Sequence, residues 1–206
     1  MIAADASSVP EDASAASAGL RGLVRPAWIT LALAVVVGAR WAATVADAPP
    51  YLVGALFGLG FLVIAQAGGM RVSVPAPTAW LIGLVGSVVL VALAIGASSL
   101  AGQPLRAVPK TDFALWAVIT IVVASAEELV LRGALFNALR DSTGLVVAVV
   151  VTSAAFALMH VPLYGWHVVP LDLGVGVFLA GLRLASGSVA APAVAHVVAD
   201  LATWWL

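Results

Sequence analysis

The sequence predicts an all-α protein, a polytopic transmembrane bundle of about seven helices with a polar site inside it. Of its 206 residues, 63% are hydrophobic and only 9% are charged, whereas about a quarter of the residues of a soluble domain are charged. The apolar residues fall into seven runs separated by polar or Pro/Gly-rich segments. A few ionisable residues lie inside those runs, where charge is costly and therefore indicates pairing or chemistry.

The chain divides into a tail and one membrane domain. Residues 1–25 begin with an Ala/Ser-rich stretch that has no apolar period, so they are predicted to be a disordered tail. Residues 26–206 are predicted to form a transmembrane helical domain, with its motifs at 124–200. The predicted segments are 26–46, 51–67, 79–100, 113–139, 145–161, 171–184 and 189–206.

Turn and breaker residues separate these segments. Pro49 and Pro50 precede the second, residues 68–78 and 102–112 are loops around the third, and residues 140–144 break the chain before the fifth. Pro162 is predicted to end the fifth segment, and residues 162–170 and 183–188 connect the last three.

The basic residues give a modest orientation signal. Five arginines fall on one side of the predicted topology, against three basic residues on the other, and the majority side is expected to be cytoplasmic. The sequence thus predicts a multi-pass integral protein of the plasma (inner) membrane with a cytoplasmic N-terminus. Arg40, near the end of the first segment, is expected to extend to the interface.

Composition excludes several classes. The net charge is −1 and no basic stripe is present, so nucleic acid is not expected as a partner. Cysteine is absent, which excludes thiol catalysis, disulfides and cysteine-ligated metals.

The fourth segment carries the most concentrated charge. Glu127, Glu128 and Arg132 lie within an apolar run long enough to cross a bilayer. Glu128 and Arg132 are four residues apart, so they share one face of a helix and are predicted to form an ion pair. Glu127 points about 100° away, which leaves it available for another role.

Two further segments add polar groups. His160 lies at the end of the fifth segment, and His196 and Asp200 share one face of the seventh. Carboxylates and histidines together can activate water by general base catalysis, bind zinc, or relay protons in a transporter. Glu127, His160 and His196 are predicted to converge on one cavity.

The three motifs resemble those of the CPBP family, the CAAX-protease and bacteriocin-processing membrane proteins. Their order is Glu-Glu-x-x-x-Arg, Phe-x-x-x-His and His-x-x-x-Asx. The residues that carry the match are Glu127, Glu128, Arg132, Phe156, His160, His196 and Asp200. Residues 1–110 contribute no motif.

The resemblance implies an intramembrane endopeptidase. Glu127 and His160 would activate the attacking water, Glu128 with Arg132 would support the site, and His196 with residue 200 would stabilise the oxyanion. No cofactor is expected, although a zinc enzyme with Glu127, His160 and His196 as ligands is the alternative. The family often has Asn at the last position; here an ionised Asp200 cannot donate a hydrogen bond. It would instead orient a protonated His196, or be protonated itself.

The expected partners are a peptide or lipidated-protein substrate and the lipid bilayer. Two other functions stay open: a non-enzymatic immunity or scaffold protein, and a small proton-coupled transporter.

Helix geometry adds one constraint. At about 1.5 Å per residue, straight helices four and five would leave Glu127 and His160 about 10 Å apart in depth. One of these helices is therefore predicted to be irregular or to have different bounds.

Overall fold

The computed structural model describes residues 11–71, 73–101 and 112–205, and within this part it contains seven helices and no strand. Six of the helices are long and apolar enough to cross a membrane, and the last is shorter. The helices are α1 (Glu11–Val45), α2 (Pro50–Ala67), α3 (Pro77–Ala101), α4 (Phe113–Thr143), α5 (Leu145–Tyr164), α6 (Val169–Ser186) and α7 (Ala190–Ala202). The predicted all-α bundle of about seven helices is confirmed.

The first helix begins earlier than the sequence analysis places it. α1 starts at Glu11 and is continuous through Pro26, so helix covers much of the stretch 1–25 that is predicted to be a disordered tail. Residues 1–10 lie outside the described residues, and for them the disordered tail stays a prediction. The apolar part suited to a membrane span is Gly22–Val45.

α5 continues past the proline that was predicted to end it. Pro162 lies inside the helix, which reaches Tyr164. A proline removes one backbone donor and crowds the turn before it, but its fixed φ is compatible with a helix, so it does not force the residues after it out of the helical conformation. The helix ends at Gly165, whose φ of +87° suits a residue without a side chain.

α4 is irregular, in agreement with the prediction that helix four or helix five would be irregular or have different bounds. An α-helical part, Phe113–Glu128, leads into a π-helical segment, Leu129–Leu135, and then into a final α-helical part, Phe136–Thr143. Such segments are rare and are often found at functional sites. The π-helical segment follows the two glutamates directly, and six of its seven residues are buried.

α4 lies at the centre of the bundle and carries the residues around which the other helices pack. Its first half packs against α2 and α7, and its second half packs against α1 and α5. Close approaches need small residues: a Cβ atom at Gly176 of α6 would lie 2.9 Å from the Cα atom of Ser153 on α5. The outward faces carry exposed leucine and valine side chains, as a lipid-facing surface requires.

Candidate active site

A cavity of about 400 Å³ lies at one end of the bundle, where α1 and α5 end and α2 and α4 begin. Side chains of α1, α2, α4, α5 and α7 line it. The ionisable side chains on its wall include Arg40, Glu127, His160 and Asp200. The rest of the wall is largely apolar, so a polar reaction centre adjoins a surface suited to an apolar substrate.

Glu127 lies in the wall of this cavity and is only 3% exposed. Its two carboxylate oxygens face different neighbours. Oε1 is 4.0 Å from Nη1 of Arg40, and Oε2 is 3.9 Å from Nε2 of His196. Both distances exceed a direct hydrogen bond, and each is short enough for one water or substrate oxygen to bridge the two groups.

Glu128 points into the protein interior and forms the predicted ion pair. Nη1 of Arg132 donates to Oε1 of Glu128 over 2.9 Å, and neither side chain is exposed. Nη2 of Arg132 donates to the backbone oxygen of Gly176 on α6 over 3.1 Å. Nε of Arg183, also on α6, donates to the backbone oxygen of Arg132 over 3.2 Å. The pair therefore fixes α4 against α6.

His196 connects the two glutamates to α7. Its Nδ1 donates to Oε1 of Glu128 over 3.0 Å, because a carboxylate oxygen only accepts. Its Nε2 lies 3.4 Å from Oδ2 of Asp200, the residue predicted to share its helix face, and 3.9 Å from Glu127. His196 is buried, whereas the Asp200 side chain is 29% exposed toward the cavity.

His160 lies beside a buried carboxylate, Asp172, that is not among the predicted site residues. Its Nδ1 donates to the backbone oxygen of Phe156 over 2.9 Å and lies 3.3 Å from Oδ2 of Asp172 on α6. Since a carbonyl only accepts, Nδ1 carries a hydrogen, and Nε2 is then the proton-accepting nitrogen of the neutral ring. Asp172 is 1% exposed; the sequence signal was an acidic residue inside an apolar segment.

Phe156 explains why the second motif includes an aromatic residue. Its ring packs edge-on against His160 and His196, with centroids 4.8 and 5.3 Å away. The guanidinium carbon of Arg132 lies 4.8 Å from the centroid of the same ring. One buried ring thus separates and positions side chains from α4, α5 and α7.

Arg40, which the sequence predicts to extend to the interface, lines the cavity and approaches Glu127. Its guanidinium packs over the ring of Phe57 on α2, with Cζ 4.2 Å from the centroid, and approaches Glu127. A cation–π contact of this length holds the group in place at the cavity wall.

The predicted site residues therefore fall into two layers. Glu127, His160 and Asp200 line the cavity. His196, Glu128 and Arg132 lie behind that wall, with His196 joining the layers. Whether each acts in catalysis stays a prediction.

The alternative of a zinc enzyme can be compared with the arrangement of possible ligands. The described residues contain no group of three or more His, Asp and Glu side chains arranged to hold a metal ion. Nδ1 of His160 and Nδ1 of His196 are both donors in this arrangement, so each ring would have to bind a metal through Nε2. Metal dependence stays a prediction.

Fold and site together define a polytopic membrane protein with a buried glutamate–histidine site built from the last four helices. Residues 109–202, a little under half of the chain, match one family model, the Rce1-like family, which is described as type II CAAX prenyl endopeptidase Rce1-like. The resemblance to the CPBP/CAAX-protease family is thereby confirmed. At the level of the family, the match supports an intramembrane CAAX-type protease. No curated protein and no solved structure matches the chain significantly.

Proposed function

We propose that this protein is an intramembrane endopeptidase that cleaves membrane-associated peptides or proteins with a water activated by Glu127. The observation that carries the proposal is that Glu127 and His160, from different motifs and different helices, line the same cavity. A general base must come within hydrogen-bond reach of the water that it deprotonates, and the proposal places that water in the cavity that both side chains line.

The reaction has two steps. Glu127 takes a proton from the water while the oxygen bonds to the scissile carbonyl carbon, and the carbonyl π electrons move to its oxygen. The tetrahedral oxyanion then collapses, the C–N bond breaks, and the proton held by Glu127 goes to the leaving amine. His160 orients the water through Nε2, the nitrogen opposite the one that donates to Phe156.

His196 and Asp200 support the oxyanion side of the site. Because Nδ1 of His196 carries the hydrogen donated to Glu128, the ring donates through Nε2 only in its protonated form; in this proposal the carboxylates of Glu127 and Asp200, 3.9 and 3.4 Å from Nε2, favour that form, and Nε2 donates to the reacting carbonyl. Glu128 fixes the ring by accepting from Nδ1. The Glu128–Arg132 pair holds this ring and the base in one rigid arrangement.

The substrate is a peptide or lipidated protein that reaches the cavity from the bilayer. The family description suggests a prenylated peptide with a CAAX end, and the largely apolar wall suits such a chain. In the proposed orientation, the N-terminus is cytoplasmic and the membrane is the plasma (inner) membrane.

The decisive experiment measures cleavage of a farnesylated CAAX peptide and a panel of transmembrane peptides in proteoliposomes. Glu127→Gln is compared with the wild type, and Asp141→Asn, an exposed site on the same helix, is the matched control. We expect cleavage by the wild type and the control, and its loss in Glu127→Gln, with or without chelator. Cleavage lost on chelation would instead support the zinc alternative. Unaltered cleavage by Glu127→Gln would refute the proposal, and pH-dependent flux without cleavage would favour a transporter.

A further inference from the structure

Arg40 brings a positive charge into the cavity from outside the segment that matches the family. It lies on α1, whereas the match begins at residue 109. Its guanidinium is on the cavity wall, 4.0 Å from Oε1 of Glu127. It carries five N–H donors, and the ring of Phe57 packs against the group, with Cζ 4.2 Å from the ring centroid.

The charges of the site need such a cation. Glu127 and Asp200 both lie on the cavity wall, and Glu128 lies directly behind them. Arg132 is committed to Glu128 and to the backbone of Gly176. A tetrahedral intermediate adds one more negative charge beside these carboxylates, in a region where unbalanced charge is costly.

The aspartate at position 200 increases the need for another hydrogen-bond donor to the oxyanion. An asparagine there would donate a hydrogen bond to the developing oxyanion, whereas an ionised Asp200 offers only acceptors and repels it. A protonated His196 then supplies one donor through Nε2, next to two carboxylates. An oxyanion site works through donors already aimed at the position where charge develops, and Arg40 is a cation on that wall.

We propose that Arg40 is a catalytic residue of this protein, donating hydrogen bonds to the oxyanion of the tetrahedral intermediate in place of the missing amide at position 200. This inference rests on the proposed endopeptidase function. The bonds made and broken are those of water addition and C–N cleavage; Arg40 exchanges no proton and stabilises the carbonyl oxygen only while that oxygen is negative.

The first test is the kinetics of Arg40→Gln, Arg40→Lys and the control Arg71→Gln, which alters an exposed loop arginine. We expect Arg40→Gln to lower kcat about 100- to 1,000-fold with little change in KM, as loss of one oxyanion donor does. Arg40→Lys keeps the charge and should retain more activity, and Arg71→Gln should match the wild type. A raised KM with unchanged kcat would overturn the proposal and indicate that Arg40 binds a substrate carboxylate.

The second test needs no turnover. A peptide whose scissile amide is replaced by a phosphinate mimics the charged intermediate, and such analogues bind far more tightly than substrates. Binding of this analogue and of the unmodified peptide is measured in Glu127→Gln and in Glu127→Gln/Arg40→Gln. We expect the added Arg40→Gln substitution to weaken binding of the phosphinate analogue about 100-fold more than binding of the unmodified peptide.

Equal weakening of both ligands would show a structural role for Arg40 and refute the proposal. The two proposals fail separately. Undiminished cleavage by Glu127→Gln refutes the endopeptidase mechanism itself. Loss of cleavage in Glu127→Gln together with full activity of Arg40→Gln refutes only the role of Arg40.

Discussion

Replacing Arg132 with methionine tests whether the buried ion pair holds the bundle together. The substitution keeps an unbranched apolar stem but removes three interactions. These are the 2.9 Å hydrogen bond to Glu128, the 3.1 Å hydrogen bond to Gly176 and the contact with the ring of Phe156. It also leaves Glu128 as a fully buried carboxylate whose remaining partner is His196.

The expected loss of free energy of unfolding in Arg132→Met is large for a membrane protein. Removing one partner of a buried ion pair costs about 3–5 kcal/mol because the other charge stays buried without compensation. Ordinary interhelical hydrogen bonds in a membrane protein contribute about 0.6 kcal/mol on average and about 1.7 kcal/mol at most. A loss above about 2 kcal/mol therefore separates an ion pair from an ordinary polar contact.

The measurement is the free energy of unfolding in mixed micelles for the wild type, Arg132→Met, Glu128→Gln and the double variant. We expect the double variant to lose less free energy of unfolding than the sum of the losses in the two single variants, because both single variants break the same pair. The double variant should recover part of the loss, because it leaves no unpaired charge. Simple additivity, or a loss below about 2 kcal/mol in Arg132→Met, would contradict the reasoning.

Three further outcomes follow from the site and the packing. Asp172→Asn should lower kcat about 10- to 100-fold with KM unchanged, because the carboxylate beside His160 is lost. Asp172→Glu should recover part of the lost activity. A change confined to KM would contradict a role for Asp172 in positioning His160. Gly176→Ala should lower the free energy of unfolding by about 1–3 kcal/mol, because its Cβ atom would meet the Ser153 backbone at 2.9 Å. Gly174→Ala, with no atom within 4 Å, is the control, and equal stability of the two would refute the packing argument. Prolonged dialysis against chelator should leave cleavage unchanged, and its loss with recovery on adding zinc would overturn the metal-free mechanism.

Contacts within a single helix were readable from the sequence. The four-residue spacing of Glu128 and Arg132 predicted their ion pair, which the structure contains at 2.9 Å. The same spacing predicted that His196 and Asp200 share a face, and their side chains lie 3.4 Å apart. Helical periodicity fixes such neighbours without any knowledge of the tertiary fold.

Contacts between helices were not readable in this way. Asp172 reaches His160 from α6, and Arg40 reaches Glu127 from α1, across 12 and 87 positions of the chain. Both partners depend on how the helices are rotated, tilted and packed, which spacing does not determine. Arg40 was assigned to the interface because a long side chain near a helix end usually extends there. In the structure, the Arg40 side chain instead lies at the cavity wall, packed against the ring of Phe57.

The end of α5 shows how local rules compete. Pro162 predicted the end of the helix, but the helix continues for two more residues to Tyr164. The first residue whose backbone leaves the helical region altogether is Gly165. A glycine with positive φ ends the helix more reliably than a proline that lies in its last turn.

The pairing within α4 has a consequence for how the chain enters a membrane. An isolated helix with three charges at its centre would carry a penalty of about 2.5–3.5 kcal/mol for each of them. Glu128 and Arg132 neutralise each other within one helix, so this penalty falls mainly on Glu127. The cation that approaches Glu127 belongs to α1, which is synthesised earlier. α4 can therefore insert before α6 and α7 exist, and those later helices only complete a charge arrangement that is already nearly balanced.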